Sequence, residues 1–97
     1  MDDKTFGITV RKLIEEIRPI AQSNPEATLD KARFEKILDI AKQRFYDNDL
    51  IREMDSGPLT NQIEAFAYLE RLSIIKSAID AIEEEEEGEA KWEEPEE

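Results

Sequence analysis

The densest set of ionisable side chains in this sequence lies at residues 83–97, which read EEEEEGEAKWEEPEE. Ten glutamates and one lysine give this segment, the acidic run, a net charge of −9 out of −12 for the whole 97-residue chain. Carboxylates in such number could bind a divalent cation or the basic surface of another protein. Because the run lacks the glycine-turned loop and ligand spacing of a calcium site, we expect neither metal nor cofactor. Such a run is most often a solvated tail that raises solubility, and the alternative is a docking or decoy segment that meets a basic groove on a partner protein or competes with nucleic acid for it.

Enzymatic catalysis is not expected from the residue types present. The chain contains no cysteine and no histidine, which excludes Ser-His-Asp triads, Cys-His dyads, HExxH sites and the usual zinc sites. Catalysis by a pair of carboxylates or by a lysine would still be possible. The composition therefore predicts a protein that is not an enzyme.

Trp92 is the only tryptophan in the chain and lies inside the acidic run. A large aromatic residue among acidic ones is typical of a short segment that folds onto a partner, with the ring filling a pocket and the charges steering the approach. Simple exposure, or packing of Trp92 back onto the fold, is equally compatible with the sequence. The predicted partner-binding residues of the run are Glu83, Glu84, Glu85, Glu86, Glu87 and Trp92.

The acidic run also sets the predicted domain organisation. A block of like charge repels itself and buries too little apolar surface to offset the entropy of ordering, so we expect residues 83–97 to be a disordered tail. The other 82 residues carry a net charge of only −3. We therefore predict an N-terminal extension at residues 1–5 and a folded unit at residues 6–82.

The folded unit is predicted to be all-α, a small antiparallel bundle of three to four helices. Only three glycines and four prolines occur in the chain, too few for the frequent turns of a β sandwich. Apolar residues recur at helical spacing in three segments, which predicts helices over residues 8–22, 29–47 and 59–86. The second helix either continues to about residue 54, the favoured interpretation, or is followed by a short separate helix.

The third predicted helix carries an uninterrupted repeat of alternating three- and four-residue steps. Such a repeat is typical of coiled-coil packing, so a homodimer through residues 65–82 is an alternative to burial within the bundle. The repeat consists of Ala65, Tyr68, Leu72, Ile75, Ile79 and Ile82.

The remaining large apolar residues divide into predicted core and predicted surface. Phe34, Phe45, Phe66 and Tyr68 have core spacing, whereas Tyr46 falls off the stripe and is expected at the surface. Leu50, Ile51 and Met54 follow the polar stretch 47–49 and have no obvious place in the bundle. Left uncovered, these three residues would form an exposed patch and a further partner-binding site.

Localisation and partner class follow from charge and hydropathy. The N-terminus lacks the cationic start and apolar stretch of a secretory signal, and no segment approaches the roughly 20 apolar residues needed to cross a bilayer. We therefore expect a cytoplasmic protein without membrane insertion. The acidic balance argues against direct nucleic-acid binding, since the basic cluster that neutralises phosphates is missing. Mimicry of nucleic acid by the carboxylates is a further alternative.

The stretch from Asp55 to Ile63, DSGPLTNQI, continuing to Phe66 and Tyr68, resembles the loop and third-helix start of bacteriocin immunity proteins of the enterocin A and pediocin type. The resemblance implies a cytoplasmic antiparallel helical bundle that protects a producer cell by acting on the membrane receptor complex of the bacteriocin. The residues by themselves favour a broader hypothesis: a non-enzymatic adaptor or inhibitor that binds another protein.

Overall fold

Four helices and one two-stranded antiparallel sheet make up the fold. The computed structural model describes the backbone of residues 2–57 and 60–93 and the side chains of residues 2–57 and 60–83. The elements in chain order are α1 (Asp3–Ser23), β1 (Thr28–Asp30), α2 (Ala32–Arg44), α3 (Asp49–Arg52), β2 (Gln62–Glu64) and α4 (Ala65–Glu93). The prediction of a mostly helical protein is confirmed, but the chain is not purely all-α.

Helix α1 begins earlier than predicted because Asp2 caps it. The Asp2 side chain accepts a hydrogen bond from the N–H of Thr5 at 2.7 Å, which satisfies one of the donors left unpaired at a helix start. The predicted extension at residues 1–5 is therefore wrong from Asp3 onward. The inward face of α1 is formed by Phe6, Val10, Leu13, Ile14 and Ile17.

The small sheet joins the two loops that precede α2 and α4. Leu29 of β1 lies opposite Ile63 of β2, which is buried. Beside this pairing the N–H of Ala65 donates to the carbonyl of Ala27 at 2.7 Å, and the N–H of Phe66 donates to the carbonyl of Pro25 at 3.0 Å. The loop before the sheet thus supplies acceptors for the first donors of α4. The helix start predicted at residue 29 was wrong because residues 28–30 form β1, and the start predicted at residue 59 was too early because residues 62–64 form β2 and α4 begins at Ala65.

The second predicted helix is divided in two. Helix α2 ends at Arg44, and the side-chain oxygen of Asn48 accepts from the N–H of Ile51 at 3.2 Å to start the short helix α3. The favoured continuation to about residue 54 was therefore wrong, and the alternative of a separate short helix is correct. This break turns α3 back against the bundle.

The core lies between α1 and α4, which run antiparallel, and is closed by α2 and α3. The predicted core positions Phe34, Phe45 and Tyr68 are buried, and the rings of Phe34 and Tyr68 lie 5.4 Å apart. Phe66 was expected in the core but is 48 % exposed, since the inward face of α4 is already filled by the neighbouring stripe. Tyr46 is exposed, as predicted.

Helix α4 extends beyond its predicted end at about residue 86 and reaches Glu93. The backbone of residues 83–93 continues α4, and disorder of the acidic run stays a prediction. Glutamate has a high helix propensity, and the first residue of the run, Glu83, is held against α1. The prediction for residues 94–97 lies outside the described residues.

Candidate partner-binding site

The patch predicted from Leu50, Ile51 and Met54 does not form a continuous surface. Ile51 is fully buried and Met54 is 8 % exposed, because α3 folds these side chains into the core. Leu50 faces solvent and is 68 % exposed. Two of the three predicted binding residues therefore stabilise the fold, and Leu50 alone is available on the surface of the monomer.

Glu83 is anchored to the bundle. Its Oε2 atom accepts a hydrogen bond from Nη2 of Arg11 at 2.7 Å, and Arg11 also donates to Asp80 at 2.8 Å. Lys76 completes this network with a bond of 2.6 Å to Asp80. The bonds from Lys76 and Arg11 lower the pKa of Asp80. The acidic run therefore starts at a fixed point on α4.

The other predicted residues of the run, Glu84, Glu85, Glu86, Glu87 and Trp92, belong to α4 by their backbone. Their side chains lie outside the described part of the chain. The binding roles assigned to them from the sequence stay predictions.

An apolar cleft of about 480 Å³ lies beside Glu83, and we call it the basal cleft. Ile82, which is 43 % exposed, lines the basal cleft together with Ile79 of α4. Phe6 of α1 and Phe45, which follows α2, form the opposite side. The cleft thus offers apolar contact at the point where the acidic run begins.

The rim of the basal cleft is charged. Arg44 forms an ion pair with Asp3, and its guanidinium lies 5.4 Å from the centre of the Phe6 ring. Lys4 and Glu83 complete the rim. Cation–π contact of this kind orients Arg44 over the aromatic face. The rim therefore combines fixed positive and negative groups around an apolar floor.

The side chains of the coiled-coil repeat in α4, apart from Ile82, are buried in the core of the chain. Tyr68, Leu72 and Ile75 are at most 1 % exposed, and Ile79 is 7 % exposed. These side chains pack with those of α1 and α2 in one apolar cluster. The repeat is therefore not available for the predicted homodimer through residues 65–82, apart from Ile82 at its end.

A second apolar surface lies on the other side of α4, between this helix and the C-terminal end of α1. Phe66, Leu69 and Ile74 line a shallow groove of about 620 Å³ together with Ala21. The structure leaves them partly uncovered because no further helix of the described chain lies there.

Lys31 was not singled out by sequence reasoning, although it is only 4 % exposed. Its Nζ atom donates to the carbonyl of Ser56 at 3.3 Å, which ties the start of α2 to the loop before β2. In the same loop the pKa of Asp55 is lowered by the backbone N–H of Gly57 and by the side chain of Arg71. These contacts hold the sheet region in place.

The described residues contain no cluster of three or more His, Cys, Asp or Glu side chains arranged to hold a metal ion. Within the same part of the chain, no helix combines the length and the apolar character required to traverse a bilayer.

Comparisons with protein-family models, with curated proteins and with solved structures found no match for this chain. The resemblance of residues 55–68 to bacteriocin immunity proteins therefore stays a prediction from the sequence.

Proposed function

We propose that this protein is a non-enzymatic interaction module, an adaptor or inhibitor, that binds a basic amphipathic segment of a partner protein. The observation that carries the proposal is the position of the basal cleft directly beside Glu83, the first residue of the acidic run. An apolar side chain of the partner would enter the cleft, and basic side chains would follow the acidic run. The chain contains neither cysteine nor histidine, so it lacks a thiol nucleophile and an imidazole base, which agrees with a binding role.

The charge distribution supports a basic partner. Three quarters of the net charge, −9 of −12, lies in residues 83–97, while the rest of the chain is nearly neutral. Segregated charge of one sign raises the encounter rate with an oppositely charged surface, and salt screens this effect over a Debye length of about 10 Å at 0.1 M. We therefore expect the association rate to fall as salt is added.

The sequence of α4 supports a partner that is both apolar and basic. The repeat that contains Ile79 and Ile82 continues, in the same three- and four-residue steps, at positions 86, 89 and 93, and all three are glutamates. The repeat thus changes from apolar to acidic at the basal cleft. An amphipathic segment with an apolar end followed by lysines or arginines would match this change.

Fluorescence anisotropy with two synthetic peptides tests the proposal. The first peptide is an amphipathic helix of about 14 residues built from leucine and lysine, and the second has the same lysines with serine in place of leucine. We expect the leucine-containing peptide to bind about tenfold or more tightly, because only this peptide can fill the basal cleft. Equal affinities would show that charge alone drives binding and would refute the role of the cleft.

Two pairs of variants separate specific binding from bulk charge. Replacing Glu84, Glu85, Glu86 and Glu87 by Gln should weaken binding and flatten its salt dependence. The matched control replaces Glu26, Glu35, Glu53 and Glu64, four exposed glutamates elsewhere, by Gln with the same change in net charge. An equal loss of peptide affinity in both variants would refute a binding role specific to the acidic run.

The second pair of variants tests the cleft. Ile82→Ser should weaken binding of the leucine-containing peptide and leave binding of the serine-containing peptide unchanged. Leu50→Ser, which alters an exposed residue of α3 outside the basal cleft, is the control and should have no effect.

A further inference from the structure

A separate cavity of about 360 Å³ lies at the other end of α1 from the basal cleft. Its apolar walls are formed by Ile17 and Ile20 of α1 and by Leu29 of β1. Glu16, Asp30 and Arg33 bring charged groups to the cavity, and the ring of Tyr68 also lines it. The volume lies in the range of about 300–1,000 Å³ that is common for small-molecule sites.

Tyr68 contributes a polar group whose hydrogen-bonding capacity the fold does not fully use. The residue is 1 % exposed, and its hydroxyl oxygen is buried without a hydrogen-bond partner among residues 2–57 and 60–83. Buried polar groups are nearly always paired, so an unpaired hydroxyl calls for a partner. Burial raises the pKa of Tyr68, whereas the backbone N–H of Phe34 acts on the hydroxyl oxygen and lowers it. The hydroxyl is therefore available as a donor.

The start of α2 adds further donors to the same place. Asp30 accepts from the N–H of Ala32 at 2.9 Å, the N–H of Phe34 acts on the Tyr68 hydroxyl oxygen, and the N–H of Arg33 has no acceptor within the helix. The N-terminal end of a helix carries partial positive charge and favours an anion. The Tyr68 hydroxyl and the N–H of Arg33 thus both offer donors that a ligand acceptor could satisfy.

Arg33 forms an ion pair with Glu16, and a ligand carboxylate could take the place of Glu16 in this pair. Its guanidinium donates to the carboxylate of Glu16, but the two side chains are 65 % and 52 % exposed. Exposed ion pairs contribute little free energy. Replacing Glu16 by a ligand carboxylate as the partner of Arg33 therefore costs little free energy. Asp30 and Glu16 already accept hydrogen bonds, whereas the Tyr68 hydroxyl, which can donate as well as accept, has no acceptor for its O–H.

We propose that this cavity binds a small aliphatic carboxylate. The carboxylate accepts hydrogen bonds from the Tyr68 hydroxyl and from Arg33, while the hydrocarbon chain contacts Ile17, Ile20 and Leu29. The proposal does not rest on the binding of a basic partner at the basal cleft, and it adds a ligand site of opposite charge preference.

Titrations of the full chain with hexanoate and with hexylammonium, followed by ¹H–¹⁵N correlation spectra, test the proposal. We expect hexanoate to give saturable shifts at Tyr68 and around the start of α2, and hexylammonium to give none at the same sites, up to about 10 mM. No saturable binding of hexanoate, or a preference for hexylammonium, would overturn the proposal.

Three variants assign the contacts. Tyr68→Phe should weaken hexanoate binding about tenfold, since it removes a hydrogen bond to a charged group, while Tyr46→Phe at an exposed position should leave it unchanged. Arg33→Gln should also weaken binding. Glu16→Gln should strengthen it by about two- to fivefold, because the competing carboxylate is removed.

The direction in which Glu16→Gln changes the affinity for hexanoate tests the proposal even if Tyr68→Phe does not fold. Weaker or unchanged hexanoate binding in Glu16→Gln would contradict the assigned exchange at Arg33. A correlation spectrum of Tyr68→Phe that matches the wild-type fold, combined with unchanged hexanoate affinity, would equally overturn the proposal.

Discussion

The guanidinium of Arg11 on α1 lies 2.7 Å from the carboxylate of Glu83 on α4, 72 residues further along the chain. This contact joins the nearly neutral bundle to the first residue of the acidic run. Because the two side chains are 35 % and 49 % exposed, the pair contributes only a small free energy of folding. Its main consequence is positional: the run starts beside the basal cleft.

Ending the chain after Glu83 should leave the melting temperature within about 2 °C of the wild-type value at roughly 0.15 M salt. A segment of like charge contributes little to packing, and the truncated chain keeps the contact with Arg11. A chain ending after Ile82 loses that contact and should be less stable by roughly 0.5–1 kcal/mol. Thermal unfolding followed by circular dichroism compares the two. A drop of many degrees in the first chain would show that residues 84–97, including Trp92, pack against the bundle.

Asp80→Asn should change the pH dependence of stability. The bonds from Lys76 and Arg11 lower the pKa of Asp80 in the folded state, so its ionised form stabilises the fold above the unfolded pKa of about 4. That stabilisation is lost as the pH falls through the lower, folded pKa. Urea midpoints of the wild type and the variant should therefore differ most above about pH 5 and converge at lower pH.

The expected difference is roughly 0.5–1 kcal/mol, since the Asp80 side chain is 35 % exposed and solvent weakens its ion pairs. Asp39→Asn, at an exposed position of α2 outside this network, is the control for the loss of one carboxylate. Parallel pH profiles for wild type and Asp80→Asn would contradict the prediction.

Leu72→Ala should lower the free energy of unfolding by about 2–5 kcal/mol, because Leu72 is fully buried on the inward face of α4. A domain of this size has little stability to spare, so the variant should be largely unfolded near its wild-type melting temperature. Leu50→Ala removes the same atoms from an exposed site and should stay within about 0.5 kcal/mol of the wild type. Urea unfolding measures the free energy of unfolding of both variants. Similar decreases in the two would refute the assignment of Leu72 to the core.

Alanine at the two described glycines, Gly57 and Gly7, should act in opposite directions. Gly57 has a φ of +92°, where a side chain is strained, so Gly57→Ala should destabilise the fold by about 1–2 kcal/mol. Gly7 is helical, and a Cβ atom there would lie 3.4 Å from Arg11 and 3.5 Å from Ile79, which are ordinary contacts. Gly7→Ala should therefore stabilise by about 0.5–1 kcal/mol. Chemical denaturation measures the change in the free energy of unfolding for each variant. A change in the same direction in both variants would contradict the prediction.

The helices and most of the core were predictable from the sequence because their signal is local. Apolar residues at three- and four-residue steps indicate which face of α1, α2 and α4 is inward, and this periodicity correctly selected Phe34, Phe45, Tyr68 and Leu72. The strands were not predictable in this way, since three residues are too short to show an alternating pattern. Their pairing depends on residues such as Leu29 and Ile63 that are distant in the chain.

The sequence by itself determined the residue types available for function: no cysteine, no histidine, and a concentration of carboxylates in residues 83–97. Only the tertiary structure decided which surfaces those residues share. It buried Ile51 and Met54, exposed Phe66, brought Arg11 to Glu83 beside the basal cleft, and left the Tyr68 hydroxyl buried without a partner in the described chain. The physical reason is that composition and periodicity are properties of neighbouring residues, whereas clefts and unpaired groups arise where distant segments pack against each other.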